Sequence, residues 1–535
     1  MHRALSPVSY GHRTMVKERI SEIDTFDQFP LLPIIKGSIA SQALVGMEDI
    51  SPTPVQRLAI PVLLGDDKNS HRRRSLRAKG EEMEQFLLAA ETGSGKTLAY
   101  LLPILDAVKR AEIMDADLKA HNEALEEDKR KKRNPLELES PPLSNQPHPT
   151  TGRPRAIILV PTSELVSQVG NLTKKLSHTV KFRSALLSSA YTGRVIRNRL
   201  FSPGGIDVLI STPHLLASIA ESDPNILSRV SHLVIDEADS LLDRSFAPMT
   251  SAIIDKSTPS LRQLILCSAT IPRSLDSYLR TRFPSMSRLV TPNLHAIPRR
   301  VQLGVVDVDR DPYRGNRSLA CADTIWSIGK AAAEQILPPP LPDFYPPPAP
   351  GMPDRFAAER VDLKRILVFV NEREQAAAVA AYLQSKGIDA LALSRDTPEQ
   401  RQAEILTAFT SANPESVAVR PSSAPPPPAP ASISHPNSVP AARAAQTPAS
   451  PPRRQLPNTK VLVATDLGSR GIDTLAVRHV ILYDVPHSTI DFIHRLGRTG
   501  RMGRRGRGIV LVGKGDRKDV VREVREGMFR GQALI

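Results

Sequence analysis

The chain has 535 residues, a formal net charge of +15, 40% apolar residues and only two cysteines, Cys267 and Cys321. The length makes room for about two to four domains, and so few cysteines exclude a disulfide scaffold and fit a reducing compartment. The positive balance points to an anionic partner, nucleic acid first, and no apolar run approaches the roughly 20 residues that span a bilayer.

Within residues 1–25, Arg3, Arg13, Lys17 and Arg19 stand near one another with Glu18 among them. This segment reads equally as the remnant of a mitochondrial presequence and as an ordinary tail. Phe26-Asp-Gln-Phe-Pro-Leu-Leu-Pro33 opens the ordered part, and a helix-like segment follows at 34–44. In Ser51-Pro-Thr-Pro-Val-Gln56 the amide of Gln56 is donor and acceptor at once, so it suits the edge of an adenine, with an upstream Phe to stack on the base. A Pro-led helix start with a surface Gln reads the same way. Residues 66–84 are polar and basic, an inserted loop.

The apolar run 86–89 leads into Ala90-Glu91-Thr92-Gly93-Ser94-Gly95-Lys96-Thr97, with a helix-like run at 98–105 behind it. Strand, tight loop and helix in that order make a phosphate-binding loop. Gly93 and Gly95 let successive N–H groups point into one concavity, which the positive end of the helix reinforces. Lys96 reaches the β/γ-phosphates and the Thr97 hydroxyl holds Mg²⁺. Ala90 stands where the first Gly of the pattern is usual. Residues 109–150 begin helical and charged, then turn Pro/Ser-rich, a solvated insertion.

From Arg155, apolar strands are predicted at 156–160, 184–188, 206–210, 232–235 and 263–267, with helices between them. Such alternation predicts a parallel sheet covered on both faces, with ligands at the strands' carboxyl ends. The polar motifs fall there: Pro161-Thr162-Ser163-Glu164-Leu165, Ser211-Thr212-Pro213, Asp236-Glu237-Ala238-Asp239 and Ser268-Ala269-Thr270. An Asp-Glu pair after a strand is by itself usually a helix cap. Downstream of a phosphate loop, Asp236 is placed to hold Mg²⁺ and Glu237 to orient and deprotonate an attacking water.

A second alternating block has strands at 301–308, 366–370, 389–393, 461–464, 479–483 and 508–512, and a helix at 320–333. The Pro-rich tracts 338–353 and 421–452 cannot bury a core and are predicted to be disordered or polyproline-like. The Arg-dense stretch from His494 to Arg504 supplies positive charge for a phosphoryl-transfer transition state, a basic RNA-contacting patch, or both.

Together these motifs, with Ala464-Thr465-Asp466-Leu-Gly-Ser-Arg470-Gly-Ile-Asp473, resemble in order those of a DEAD-box ATP-dependent RNA helicase of superfamily 2. The resemblance implies an α/β fold of two tandem RecA-like domains with parallel sheets covered by helices, at 26–297 and 298–535. The insertions 66–84 and 109–150 belong to the first domain, and the disordered Pro-rich ones, 338–360 and 411–457, to the second. It implies ATP and Mg²⁺ in the interdomain cleft, RNA across both domains, and a monomer. By position, Phe26 (or Phe29) stacks on adenine, Gln56 reads it, and Glu91 to Thr97 cradle the phosphates. Thr97 and Asp236 serve Mg²⁺, Glu237 the water, and Asp473 the ribose, while Arg498 and Arg501 are arginine fingers. Ser268 and Thr270, with Asp239, couple hydrolysis to strand separation, and Thr162, Thr212, Pro213, Thr465 and Arg470 lie in RNA-backbone motifs.

Three positions depart from the family pattern: Ser163 and His214 replace arginines or their neighbours, and Arg401 or Gln402 stands where an Arg after a Gln is usual. The first two remove cationic phosphate contacts. These departures, with 26–33 and Phe86-Leu-Leu-Ala-Ala90, are similar to a fungal mitochondrial branch implicated in assembly of the large mitochondrial ribosomal subunit. That similarity implies a matrix location rather than nucleus or nucleolus, mitochondrial ribosomal RNA as substrate, and ribosome-assembly proteins as partners. A competing class is an ATP-gated RNA clamp with little turnover. A DNA-translocating helicase fits less well, because Asp-Glu-Ala-Asp with the Gln motif points to RNA.

Overall fold

Strands flanked by helices on both sides must be apolar on both faces, and here they are. The computed structural model describes residues 20–46, 50–66, 83–115, 118–120, 148–243, 245–292, 294, 297, 300–333, 363–394, 397, 399–410, 455–456, 458–466, 477–500 and 505–530, with Val16, Glu123 and Glu126. Most of the insertions 66–84, 109–150, 338–360 and 411–457, and most of the tail 1–25, lie outside the described residues.

The first sheet has seven parallel strands, β1 (Glu84–Ala89), β2 (Ala156–Leu159), β3 (Ser184–Leu187), β4 (Val208–Ser211), β5 (His232–Ile235), β6 (Gln263–Ser268) and β7 (Ser287–Val290), in the order β3-β4-β2-β5-β6-β1-β7. Successive residues alternate between two cores, one on each face. Phe86, Leu88, Ile158 and Val234 pack on one side, while Leu87, Ala89, Ile157, Leu159 and Ile235 pack on the other. β7 escapes the sequence reading because it is an edge strand of four residues whose polar half, Ser287-Arg288, is only partly buried.

The second sheet comprises β8 (Val301–Asp307), β9 (Lys364–Phe369), β10 (Asp389–Leu393), β11 (Thr459–Ala464), β12 (Val477–Leu482) and β13 (Gly506–Val512), ordered β10-β11-β9-β12-β13-β8 and again parallel. Leu367 and Phe369 face one core, and Ile366, Val368 and Val370 the other. Two tandem parallel-sheet domains are thus present, as the alternation predicted.

Both Pro-rich tracts of the second domain are rooted at one pole. β9 and β11 are neighbours and start in register, Lys364 beside Thr459. Lys364 donates its ammonium to the carbonyls of Ile328 and Gly329, near the end of the helix Arg317–Ala333 that precedes the first tract. The helix Glu399–Thr410, which precedes the second, ends on cations: Lys460 Nζ donates to Ala408 O at 2.6 Å, and Arg365 to Phe409 O and Thr410 O at 2.8 and 2.9 Å. Cations at a helix carboxyl end satisfy its open carbonyls and oppose its dipole. These roots lie at the amino ends of the strands, whereas the phosphate loop, Asp236–Asp239, Ser268–Thr270 and Thr465 follow the carboxyl ends of theirs. Deleting 421–452 is therefore expected to leave RNA-stimulated ATP turnover intact; a folded deletion protein with turnover lost would refute this.

Candidate active site and nucleic-acid interface

The strand order of the first sheet lines up its motifs. Along the carboxyl edge, β4, β2, β5, β6 and β1 deliver in turn Thr212, Thr162, Asp236, Ser268 and the phosphate loop. Residues 180 apart in sequence become neighbours because β6 inserts between β5 and β1.

At the end of β1 the chain turns through Gly93 and Gly95, whose φ angles of +72° and +91° lie in the left-handed region. The helix Lys96–Met114 starts at once, so its open N–H groups face the loop. Lys96 is 9% exposed and folds back, donating to Ala90 O at 2.8 Å and Glu91 O at 3.0 Å, while Ser94 Oγ donates to Glu91 O at 2.7 Å. From the edge strand β7, Thr291 donates its hydroxyl to Glu91 Oε2 at 3.2 Å.

Gln56 occupies the third position of the helix Pro54–Leu63 and is 3% exposed. Its Oε1 accepts from Thr53 N–H at 2.9 Å, and its Nε2 donates to Gly95 O at 3.2 Å. The amide thus caps its own helix and braces the phosphate loop. A Cβ on Gly95 would fall 2.6 Å from Nε2, so glycine is needed here for space as well as for φ. Phe26 is not set up as an open stacking platform. It is 6% exposed and meets Phe29 edge-on at 5.9 Å, with Phe29 itself 1% exposed, so both rings serve the apolar core, which outbids an open face.

At the end of β5, Asp236 is 7% exposed. Its Oδ2 accepts from the Tyr100 hydroxyl at 3.0 Å and its Oδ1 from Glu237 N–H at 3.0 Å. Burial, then repulsion by Glu237, pushes its pKa up to about 6, against the pull of Lys96 and the Tyr100 hydrogen bond. Burial and the same carboxylate push the Tyr100 phenol well above its ordinary range, so it remains a donor. Glu237 takes a left-handed conformation, φ +55°, which turns it sharply out of the strand. Asp239, one step on, accepts from Thr270 Oγ1 at 2.5 Å, and Ser268 Oγ donates to Thr270 O at 2.7 Å. The ends of β5 and β6 are thereby pinned together.

The second domain meets this edge through the helix Thr489–Leu496 and the turn after it. His494 Nε2 lies 3.6 Å from Asp239 Oδ2, and Thr92 Oγ1 donates to Gly497 O at 3.2 Å. A Cβ on Gly497 would stand 2.1 Å from Thr92 Oγ1, so the approach depends on glycine. Arg498 follows directly, 9% exposed. Arg495, within the Arg-dense stretch, is no surface contact: at 1% exposure it forks onto both oxygens of Asp466 at 2.7 and 2.6 Å and reaches Asn371 Oδ1 at 2.7 Å. Arg470, Asp473 and Arg501 lie outside the described residues.

On the β4–β2 side, Thr162 caps the helix Ser163–Val180, its hydroxyl accepting from Leu165 N–H, and Thr212 caps the helix Pro213–Ser222 with Pro213 in its first turn. Two helix amino ends therefore share one stretch of the edge, a backbone device that favours phosphate without arginine. Exposed His214 packs edge-on against Phe246 at 5.4 Å. Thr465, 7% exposed, sits at the end of β11 in the second domain.

A chain-wide match to known proteins accompanies this geometry. Residues 53–278 match the DEAD/DEAH box helicase family and 453–503 the helicase conserved C-terminal domain. The chain is 66% identical over its full length to the mitochondrial ATP-dependent RNA helicase mrh4 of Sclerotinia sclerotiorum, covering 82% of that protein. It is 60% identical to the protein of the same name from Aspergillus clavatus, again covering 82% of it. The chain belongs to the DEAD-box helicase family. It is an ATP-dependent RNA helicase and, like these relatives, mitochondrial. Its fold is also that of the helicase Mss116 bound to single-stranded RNA and UDP-BeF (TM-score 0.59, 19% identity, 95% of this chain and 77% of that one). The same holds for S. cerevisiae Dbp5 bound to RNA and ADP BeF3 (TM-score 0.57, 18% identity, 94% and 93%).

Sequence reasoning missed Tyr100, which reads as one more core position in an apolar helix, and Arg495, which reads as surface charge. Nothing in their spacing marks either as the hydrogen-bonding partner of a distant carboxylate. The site also fits a hard cation. Its donors are hydroxyl and carboxylate oxygens, the kind Mg²⁺ prefers, and Asp236 and Glu237 repel each other until a cation arrives. Among the described residues no three His, Cys, Asp or Glu side chains gather as a self-sufficient metal cage, which suits an ion shared with phosphate and water.

Because its folded pKa exceeds the ordinary 3.8, Asp236 favours the neutral form in the fold, and its contribution to stability falls as pH rises from 3.8 towards 6. Asp236→Asn is expected to raise the melting temperature of nucleotide-free protein near neutrality, with the gain shrinking as pH falls towards the ordinary aspartate range. A gain independent of pH in thermal melts would contradict this origin.

Proposed function

We propose that this helicase hydrolyses ATP·Mg²⁺ at the β1–β6–β5 edge and uses the cycle to unwind short RNA duplexes or strip protein from RNA. The observation that carries the reading is the alignment of phosphate loop, Asp236–Asp239 and Ser268–Thr270 on one edge, with His494 and Gly497 of the second domain brought against it.

Lys96 exchanges the carbonyls of Ala90 and Glu91 for β/γ-phosphate oxygens, a short swing from a loop already shaped for anions. Thr97 and Asp236 would hold Mg²⁺, which would supply charge neutralisation at the phosphates. Glu237 orients the attacking water and takes its proton. Arg498 and Arg501 supply guanidinium charge from the second domain, so turnover requires the two domains to close. The Asp239–Thr270–His494 contacts join the nucleotide edge to the second domain, a route by which hydrolysis acts on domain closure and so on RNA. Gln56 signals the adenine to the phosphate loop through Gly95, and Asp473 takes the ribose.

RNA lies across Thr162, Thr212 and Pro213 in the first domain and Thr465 and Arg470 in the second, gripped by backbone rather than bases. The target that best fits a mitochondrial member with this N-terminal segment and the departures at Ser163 and His214 is ribosomal RNA of the large mitochondrial subunit, in the matrix, where the helicase acts as a monomer among assembly proteins. A clamp that holds RNA with little turnover is favoured by one feature, the lack of cations at Ser163 and His214.

ATP turnover of the full chain, with and without single-stranded and structured RNA, separates the two. RNA stimulation that Glu237→Gln abolishes is expected; turnover in the wild type no higher than in the variant, with tight ATP-dependent RNA binding, would leave the clamp. Ser163→Arg and His214→Arg are each expected to tighten RNA binding and steepen its salt dependence by about one phosphate contact. RNA affinity that does not respond to either would show that the RNA path misses these positions.

A further inference from the structure

We infer that Tyr100 is a positioning residue of the metal site, its hydroxyl fixing the carboxylate of Asp236 against the helix that carries Thr97, so that the two proposed Mg²⁺ holders are preset. The inference rests on the proposed roles of Asp236 and Thr97 and concerns a residue that neither the motif nor the family assignment singles out.

Tyr100 lies on the phosphate-loop helix, three residues after Thr97, so both side chains project from the same face. Its ring is fully buried, among the largest wholly buried side chains of the chain. Burying a phenol is costly unless the hydroxyl finds a partner. Here it donates to Asp236 Oδ2 at 3.0 Å, across 136 residues of sequence. The other Asp236 oxygen accepts from Glu237 N–H. Each carboxylate oxygen thus has one fixed donor, which sets the plane of the carboxylate and leaves its remaining lone pairs for the metal shell. One hydroxyl joins the β1 helix to the end of β5 at the point where both must face the same ion. Outer partners of this kind orient metal ligands and affect affinity strongly.

Tyr100→Phe removes the oxygen alone and keeps the ring that fills the core. The test is a titration of Mg²⁺ against the full chain with a fluorescent ADP, read as nucleotide binding, alongside binding in EDTA and a thermal melt. Asp236→Asn is run in parallel. The expected result is a half-saturating Mg²⁺ concentration raised by about tenfold in Tyr100→Phe, with metal-free ADP affinity unchanged. A Tyr100→Phe curve matching wild type, while Asp236→Asn shifts, would overturn the positioning role and leave the metal assignment standing. If Asp236→Asn also matches wild type, the metal assignment falls, and this inference with it. Equal losses of affinity with and without Mg²⁺ in Tyr100→Phe would reduce Tyr100 to a packing residue.

Discussion

Asp236 carries a negative charge into the floor of the cleft, and the fold only partly offsets it. Lys96, a phenol and one backbone N–H face it, while Glu237 opposes it from the next residue. A buried carboxylate beside another carboxylate is poorly solvated and strongly repelled. The free-energy cost is held by the two sheet cores, whose strands are apolar on both faces. In the proposed function a cation would relieve it, since it would bring the positive charge that the two carboxylates lack. Binding and stability are therefore linked at this one group.

The second domain meets the same edge through His494 and Gly497. Its contribution depends on Arg495, which never reaches the nucleotide. Buried and forked onto Asp466 and Asn371, it ties the ends of β9 and β11 to the helix that carries His494, Gly497 and Arg498. Bidentate pairing with a carboxylate fixes direction as well as distance. Removing Asp466 would leave the buried Arg495 charge uncompensated, so the helix end that faces the first domain is held by a group directly adjoining Thr465.

In the proposed function the two ligands divide one edge of the first sheet, nucleotide chemistry on β1, β6 and β5 and backbone contacts for RNA on β2 and β4, with helix amino ends at both. The same physical device, open N–H groups with a favourable dipole, serves a triphosphate in one place and a phosphodiester chain in the other. That economy explains how Ser163 and His214 can be tolerated where cations are usual: the helix ends remain when the arginine is gone.

Motif order, strand–helix alternation and charge were enough to establish the fold class and the family, because those features are local: the tight turn at Gly93 and Gly95 between a strand and a helix is written in neighbouring residues. Partners separated by long stretches of chain were not legible. That β6 lies between β1 and β5, that Tyr100 reaches Asp236, that Arg495 is buried, and that Phe26 is spent on the core with Phe29 all follow from sheet order and packing. The short edge strand β7 escaped for the related reason that its burial is supplied by β1 rather than by its own composition. Sequence determined which chemical groups the chain possesses and the local turns that present them. Only the tertiary structure decided which of them share a proton, a cation or a face, since hydrogen bonds and burial are set by distance in space and not along the chain.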